Sequence, residues 1–140
     1  MPVDSPAISC DRLRLVSMTP AFLEVSLKDQ RSEAAQMLGV AIVPDWFDEQ
    51  WLMRLRLNDL QSDPSLQPWL LRAVIHNDSA TMIGHIGFHT APDPAYLSEL
   101  APGGIEIGYT IFTAYRAQGY ATEACRCLMD WAHSAHAINR

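Results

Sequence analysis

In CDRLRLVSMT, Leu13 and Leu15 alternate with Arg12 and Arg14, the period-two pattern of a short strand buried on one face. The pattern then changes. Thr19 and Pro20 open a helix, Thr19 as its cap and Pro20 at its first position. Phe22, Val25 and Leu27 carry that helix forward through AFLEVSLKD. RSEAAQMLG reads as a second short helix with Gly39 as its C-terminal cap. Pro44 and Asp45 break the chain again. FDEQWLMRLRLNDLQ is the next helix, with Leu52, Leu55 and Asp59 on one stripe and Trp51 paired with Leu55 one turn on. Pro64 and Pro68 bound a linker, and residues 1–9 read as a loose leader.

Beyond Pro68 the period becomes extended. QPWLLRAVIH (67–76) reads as a strand, NDSA as its turn, and TMIGHIGFHT (81–90) as the antiparallel return. Residues 91–104 read as a loop and IEIGYTIF as a third sheet strand within 104–112. TAYRAQG connects it to a last helix, YATEACRCLMDWAHSAH. There Ala121, Ala124, Cys125, Leu128, Met129 and Ala132 recur at helical spacing as a buried face. The order predicts an α/β fold: a mixed, mainly antiparallel sheet flanked by helices, in one domain over 1–140.

Composition narrows the function classes. Of 140 residues, 49% are apolar, enough for a core, and the formal net charge is −6. With no basic cluster, nucleic acid is not an expected partner, and no apolar run approaches membrane-spanning length. No export signal is visible in MPVDSPAISC. Cys10, Cys125 and Cys127, an odd number without framework spacing, point to free thiols in a reducing, cytoplasmic setting.

The chemistry concentrates where the third strand meets the last helix, at Arg116-Ala117-Gln118-Gly119-Tyr120-Ala121. First-turn N–H groups lack intrahelical acceptors, and the helix dipole adds positive charge there, which together suit a phosphate. Gly119 permits close backbone approach and positive φ, and Arg116 supplies charge-assisted bonds. A single glycine between strand and helix is also commonly a plain turn.

These residues carry a resemblance. Arg116, Gly119 and Ala121 fit the (Gln/Arg)-x-x-Gly-x-(Gly/Ala) signature of the GCN5-related N-acetyltransferases. Glu106-Ile107-Gly108-Tyr109 followed by Tyr115-Arg116-Ala117-Gln118-Gly119-Tyr120-Ala121-Thr122-Glu123-Ala124 resembles the ribosomal-protein alanine N-acetyltransferase branch, with Ala117 where a glycine is frequent. CDRLRLVSMTPAF and MIGHIGFH also resemble family segments. The resemblance implies acetyl-CoA as co-substrate and an amine-bearing small molecule or a peptide N-terminus as acceptor. It implies that the amides of Gln118, Gly119, Tyr120 and Ala121 hold the pyrophosphate. It further implies that a bulged stretch around Ile107, Gly108 and Tyr109 polarises the thioester carbonyl. A base must deprotonate the amine. Glu106, a carboxylate in an apolar strand, is the candidate, against the plainer reading of a solvated alternation position. Tyr109 either lines the acetyl pocket or packs.

Family members continue into a fifth strand, which HAINR resembles, so the chain reads as C-terminally truncated, with strand 104–112 left as an open edge. That edge predicts a homo-oligomer. It also raises the alternative of a non-catalytic module for CoA binding or self-association. No metal site is expected. His85 and His89 lie roughly 13 Å apart along a strand. His133 and His136 lack a third ligand, and the four tryptophans read as packing residues.

Overall fold

The computed structural model describes residues 5–89 and 106–136, in which six strands form one sheet. They are β1 (Ile8–Ser9), β2 (Leu13–Ser17), β3 (Ala41–Ile42), β4 (Arg72–His76), β5 (Thr81–Phe88) and β6 (Ile107–Ile111). The order is β1-β2-β4-β5-β3, with β6 also paired to β5. Thus β3, parallel, and β6, antiparallel, follow one another along the same side of β5: Ala41 pairs Thr81, and Gly84 to Phe88 pair Ile111 to Ile107. The other pairings, β1–β2, β2–β4 and β4–β5, are antiparallel.

The helices are α1 (Pro20–Leu27), α2 (Arg31–Leu38), α3 (Gln50–Ser62) and α4 (Tyr120–His136). Thr19 caps α1 as its sequence predicts, its Oγ1 accepting from the Phe22 N–H at 3.2 Å. Gly39 ends α2 in the left-handed region at φ +79. The alternation of the strands divides the core between the two faces of the sheet. On one side Phe22, Leu23, Trp46, Met53 and Leu60 pack on Ala73, Ile75, Met82 and Phe112. On the other, Ala124, Leu128 and Ala132 of α4 pack on Leu13, Leu15, Val74, Ile86 and Ile111. β4 is buried on both faces, which explains its continuous apolar run.

One irregularity positions the site. Val74 pairs Gly84 but Ile75 pairs Met82, so β5 carries an extra residue at Ile83. A one-residue slip inverts side-chain direction. Met82 lies on the α1–α3 side and Ile83 on the α4 side, yet His85, three residues beyond Met82, again meets Trp46 and Phe112 of the α1–α3 side. Ile86 and Phe88 point to α4.

Several expectations are corrected. The leader contains β1, because Ile8 buries itself against α4 and pairs Leu15. The strand expected over 67–76 starts only at Arg72. Before it, the Trp69 and Leu70 N–H groups turn back onto the Leu66 carbonyl, a path that follows Pro64 and Pro68. The buried stripe of α3 is Met53 and Leu60, with Leu52 and Leu57 partly buried beside them; Leu55 and Asp59 are not part of it. Trp51 is 73% exposed and packs on no core, unlike Trp46 and Trp69. The bulge expected around Ile107 to Tyr109 is absent from β6, which pairs β5 one for one; the extra residue sits in β5. Cys10 and Cys127 are joined in a disulfide, Cα–Cα 6.0 Å, leaving Cys125 free. Folding lays β1 along α4, so the tertiary contact brings together cysteines 117 positions apart, and the argument from free thiols to a reducing compartment lapses. No helix among the described residues is long and apolar enough to cross a membrane. The loop 91–104 and the segment 137–140 lie outside the described residues.

Candidate active site

The pairing of β5 with β6 sets three cross-strand pairs on the face that looks toward α3: His85 with Thr110, Gly87 with Gly108, and His89 with Glu106. Directly opposed residues share a face. The central pair therefore has no side chains, and imidazoles flank it on both sides. The bareness is a steric demand. A Cβ on Gly87 would lie 2.6 Å from the Leu70 carbonyl oxygen, and one on Gly108 would lie 2.5 Å from His89 Nε2.

Over this glycine floor opens a cavity of about 250 Å³, walled by Glu49, Trp51, Leu52 and Arg56 from the start of α3 and by His85, His89 and Tyr109 from the sheet. His89 Nδ1 lies 3.2 Å from Glu106 Oε2, and both side chains are partly exposed. At the other flank His85 is 5% exposed, held edge-on between the rings of Trp46 and Phe112. Burial pushes its imidazole below the ordinary value, against the upward pull of Glu49. The indole N–H of Trp46 donates to Ser26 Oγ at 3.1 Å, so these two buried polar groups satisfy each other.

The loop between β6 and α4 is built from two left-handed residues, Ala117 at φ +63 and Gly119 at φ +83. Arg116 Nε donates to the Ile111 carbonyl at 2.7 Å and braces the loop against the end of β6. From Ala117 through Thr122 no backbone N–H has a backbone acceptor among the described residues; the first return bond is from Glu123 N–H to the Gly119 carbonyl at 3.1 Å. A shallow pocket of about 230 Å³ lies here, bordered by Ile111, Arg116, Gly119 and Ala121. Unspent N–H groups at a helix start form an anion cradle. Arg12 secures it from the neighbouring turn: its Nη1 donates to the Gln118 carbonyl at 3.1 Å, and its guanidinium lies 4.5 Å from the centre of the Tyr120 ring.

Cradle and cavity lie at the two ends of one strand edge. The β5–β6 ladder is bounded by the bonds from His89 N–H to the Glu106 carbonyl (3.0 Å) and from Phe112 N–H to the Ile83 carbonyl (2.8 Å). Antiparallel alternation then turns the N–H groups of Gly108 and Thr110 to β5 and those of Ile107, Tyr109 and Ile111 outward. No strand among the described residues pairs that outer edge.

Among the residues singled out in the sequence, Glu106, Ile107, Gly108 and Tyr109 lie at the cavity end, and Arg116, Gln118, Gly119, Tyr120 and Ala121 lie in the loop and helix start at the other. Tyr120 is buried, packing against α4's neighbours instead of facing solvent, while Tyr109 is 52% exposed on the face opposite Glu106. Sequence reasoning missed His85, His89 and Glu49 as members of one site. Spacing of two along MIGHIGFH already aligns His85, Gly87 and His89; their register against Glu106, and the approach of Glu49, have no local signal.

Residues 12–140 match the family model of the acetyltransferase (GNAT) domain. YjdG of Bacillus subtilis (strain 168), an uncharacterised N-acetyltransferase, is 26% identical over 138 residues, covering 95% of this chain and 76% of that protein. The ribosomal-protein-S5-alanine acetyltransferase of Vibrio fischeri superposes with a TM-score of 0.55 at 14% identity, over 96% of this chain and 70% of its own. RimL, a ribosomal L7/L12 alpha-N-protein acetyltransferase solved in complex with coenzyme A, superposes with a TM-score of 0.54 at 15% identity, over 93% of this chain and 70% of its own. At these identities the two structures establish a shared fold.

Proposed function

The chain belongs to the acetyltransferase (GNAT) domain family, and from that premise we propose that it transfers the acetyl group of acetyl-CoA to a primary amine on a peptide N-terminus or a small molecule. The observation that carries the reading is the run of unspent N–H groups from Ala117 to Thr122 at one end of an open strand edge whose other end meets a cavity. When bound, acetyl-CoA supplies an activated acyl carbon. The cradle of Gln118, Gly119, Tyr120 and Ala121 takes its pyrophosphate. The pantetheine arm runs along β6, where its amides meet the outward N–H groups. The Ile107 or Tyr109 N–H polarises the thioester carbonyl, and the donor stays fixed because β6 is held by β5 on its other side. Gly108 contributes an absence of side chain, not its N–H, which is turned to β5. Glu106 takes the proton of the amine through water, oriented by His89.

Isothermal calorimetry with CoA and an acetyl-transfer assay on a panel of peptides and amines test this together. Saturable CoA heat with acetylated product in the mass spectrum supports it. Folded protein that gives neither result rejects it.

A second reading rests on the same edge. The outer edge of β6, which no strand among the described residues pairs, is also a surface for a second copy of the chain, as in a self-associating module or homo-oligomer. The two occupants exclude each other there. Light scattering across a dilution series, with and without CoA, separates them: a dimer that CoA dissociates uses this edge, and a monomer at every concentration refutes the oligomer.

A further inference from the structure

His85 borders the cavity, and its buried Nε2 has no hydrogen-bond partner among the described residues. Glu49 Oε1 stands 3.7 Å from it, too far for a bond between them. Among the described residues the carboxylate is not otherwise employed: Glu49 occupies the position before α3, yet its side chain makes no capping bond there. An acceptor nitrogen and a carboxylate oxygen this far apart can both lie about 2.8–3.0 Å from a single nitrogen placed between them. A primary ammonium has three donors and no acceptor, which is the complement of that pair. We infer that Glu49 and His85 form an ammonium-binding subsite that selects a cationic primary amine carried on an apolar stem.

The surroundings support the class of ligand. The imidazole is buried and kept neutral, so Nε2 is available as an acceptor when the ring proton sits on Nδ1. The charged groups facing it are few. Glu49 is the nearest; Arg56 of α3 borders the cavity, but its Nη1 is tied to Asp59 Oδ2 at 2.9 Å; His89 lies at the far flank and is turned to Glu106. Thr110, opposite His85, is uncharged. Leu52 and Leu71 line the wall, and the exposed ring of Trp51 stands at the rim, where an apolar stem would leave. An ammonium placed here also lies beside Gly87 and Gly108, which line the same cavity. The inference rests on the acetyltransferase reading for its consequence but not for its test.

The test is a titration of the full chain, without acetyl-CoA, by n-butylammonium and by 1-butanol, read by NMR of the histidine rings, with His85→Gln identifying the His85 signals. The expected result is a saturable shift of the His85 signals by butylammonium and not by butanol. Glu49→Gln, an isosteric change of a partly exposed side chain, should weaken that binding about tenfold, as loss of one charge-assisted bond does, and should raise KM for butylamine more than it lowers kcat. No shift, an equal shift by butanol, or unaltered binding in folded Glu49→Gln overturns the subsite. Calorimetry with CoA stands apart: absence of CoA binding with butylammonium binding intact would reject the acetyltransferase reading and keep the subsite, and the reverse result would do the opposite.

Discussion

Arg12 holds Glu123 at two points, its Nε 2.7 Å from Oε1 and its backbone N–H 2.8 Å from Oε2. The pair fastens the first turn of α4 to the turn between β1 and β2, and through Arg12 Nη1 to the Gln118 carbonyl it fixes the anion cradle. Burial alone would raise the Glu123 carboxyl, but the bonds and charge from Arg12 outweigh it and hold it below its ordinary value. The sign follows. Stability from this group is present above its unfolded-state value, near 4.5, and is lost as pH falls through the lower folded-state value. Glu123→Gln should therefore flatten the acid limb of stability against pH and weaken CoA binding by roughly 1.5- to fivefold, the range for a partly screened pair. Denaturant melts between pH 3 and 7 and CoA calorimetry check both; an acid limb unchanged from the native protein would remove Glu123 from the account.

The loop conformation predicts opposite effects at two neighbouring positions. Gly119→Ala adds a Cβ at φ +83, 3.4 Å from Arg12 Nη2, so the substitution should cost about 1 kcal/mol through backbone strain and reduce CoA affinity. Ala117→Gly relieves the same strain at φ +63. Gains in backbone entropy of the unfolded chain offset part of it, leaving a change between neutral and about 1 kcal/mol stabilising. Chemical denaturation of both variants measures the signs. Equal losses in the two would mean that the loop does not hold these dihedrals.

Glu106→Gln tests the proton acceptor. Because the side chain is exposed, fold and CoA affinity should be unchanged while kcat falls about 10²- to 10³-fold at neutral pH. His89→Gln should lower kcat less, since it orients the carboxylate without taking the proton. A Glu106→Gln enzyme with native kcat across the pH range would leave Glu106 as a surface residue.

Cys127→Ser tests the link between β1 and α4. The disulfide closes a separation of 117 residues, for which the chain-entropy account gives roughly 4–5 kcal/mol. Oxidised native protein should exceed the variant by up to this amount in urea melts, and dithiothreitol should erase the difference. Identical melts under oxidising conditions would show the two thiols to be unjoined.

The helices and the β4–β5 hairpin were readable because their signals are local. A capping hydroxyl at Thr19, a left-handed Gly39 and the helical spacing of Ala124, Leu128 and Ala132 act within one or two turns, where chain geometry alone dictates neighbours. The loop and helix start after β6 were readable for the same reason: Arg116 to Ala121 is contiguous, and its glycine and the helix that begins at Tyr120 are local signals. Misreadings occur where burial depends on distant partners. Trp51 looks like a core residue until α3 is docked and Met53 and Leu60 prove to face the sheet.

The residues of the cavity divide along the same line. From sequence alone came Glu106, the glycine of the strand and the phosphate-suited loop, each carried by its own neighbours in the chain. The tertiary structure decided that Glu106 meets His89, that an extra residue at Ile83 turns His85 toward α3, and that Glu49 arrives beside it. Strand register and helix docking are set by the summed burial of two core faces, a quantity that belongs to the whole fold and leaves no mark on any short stretch of sequence.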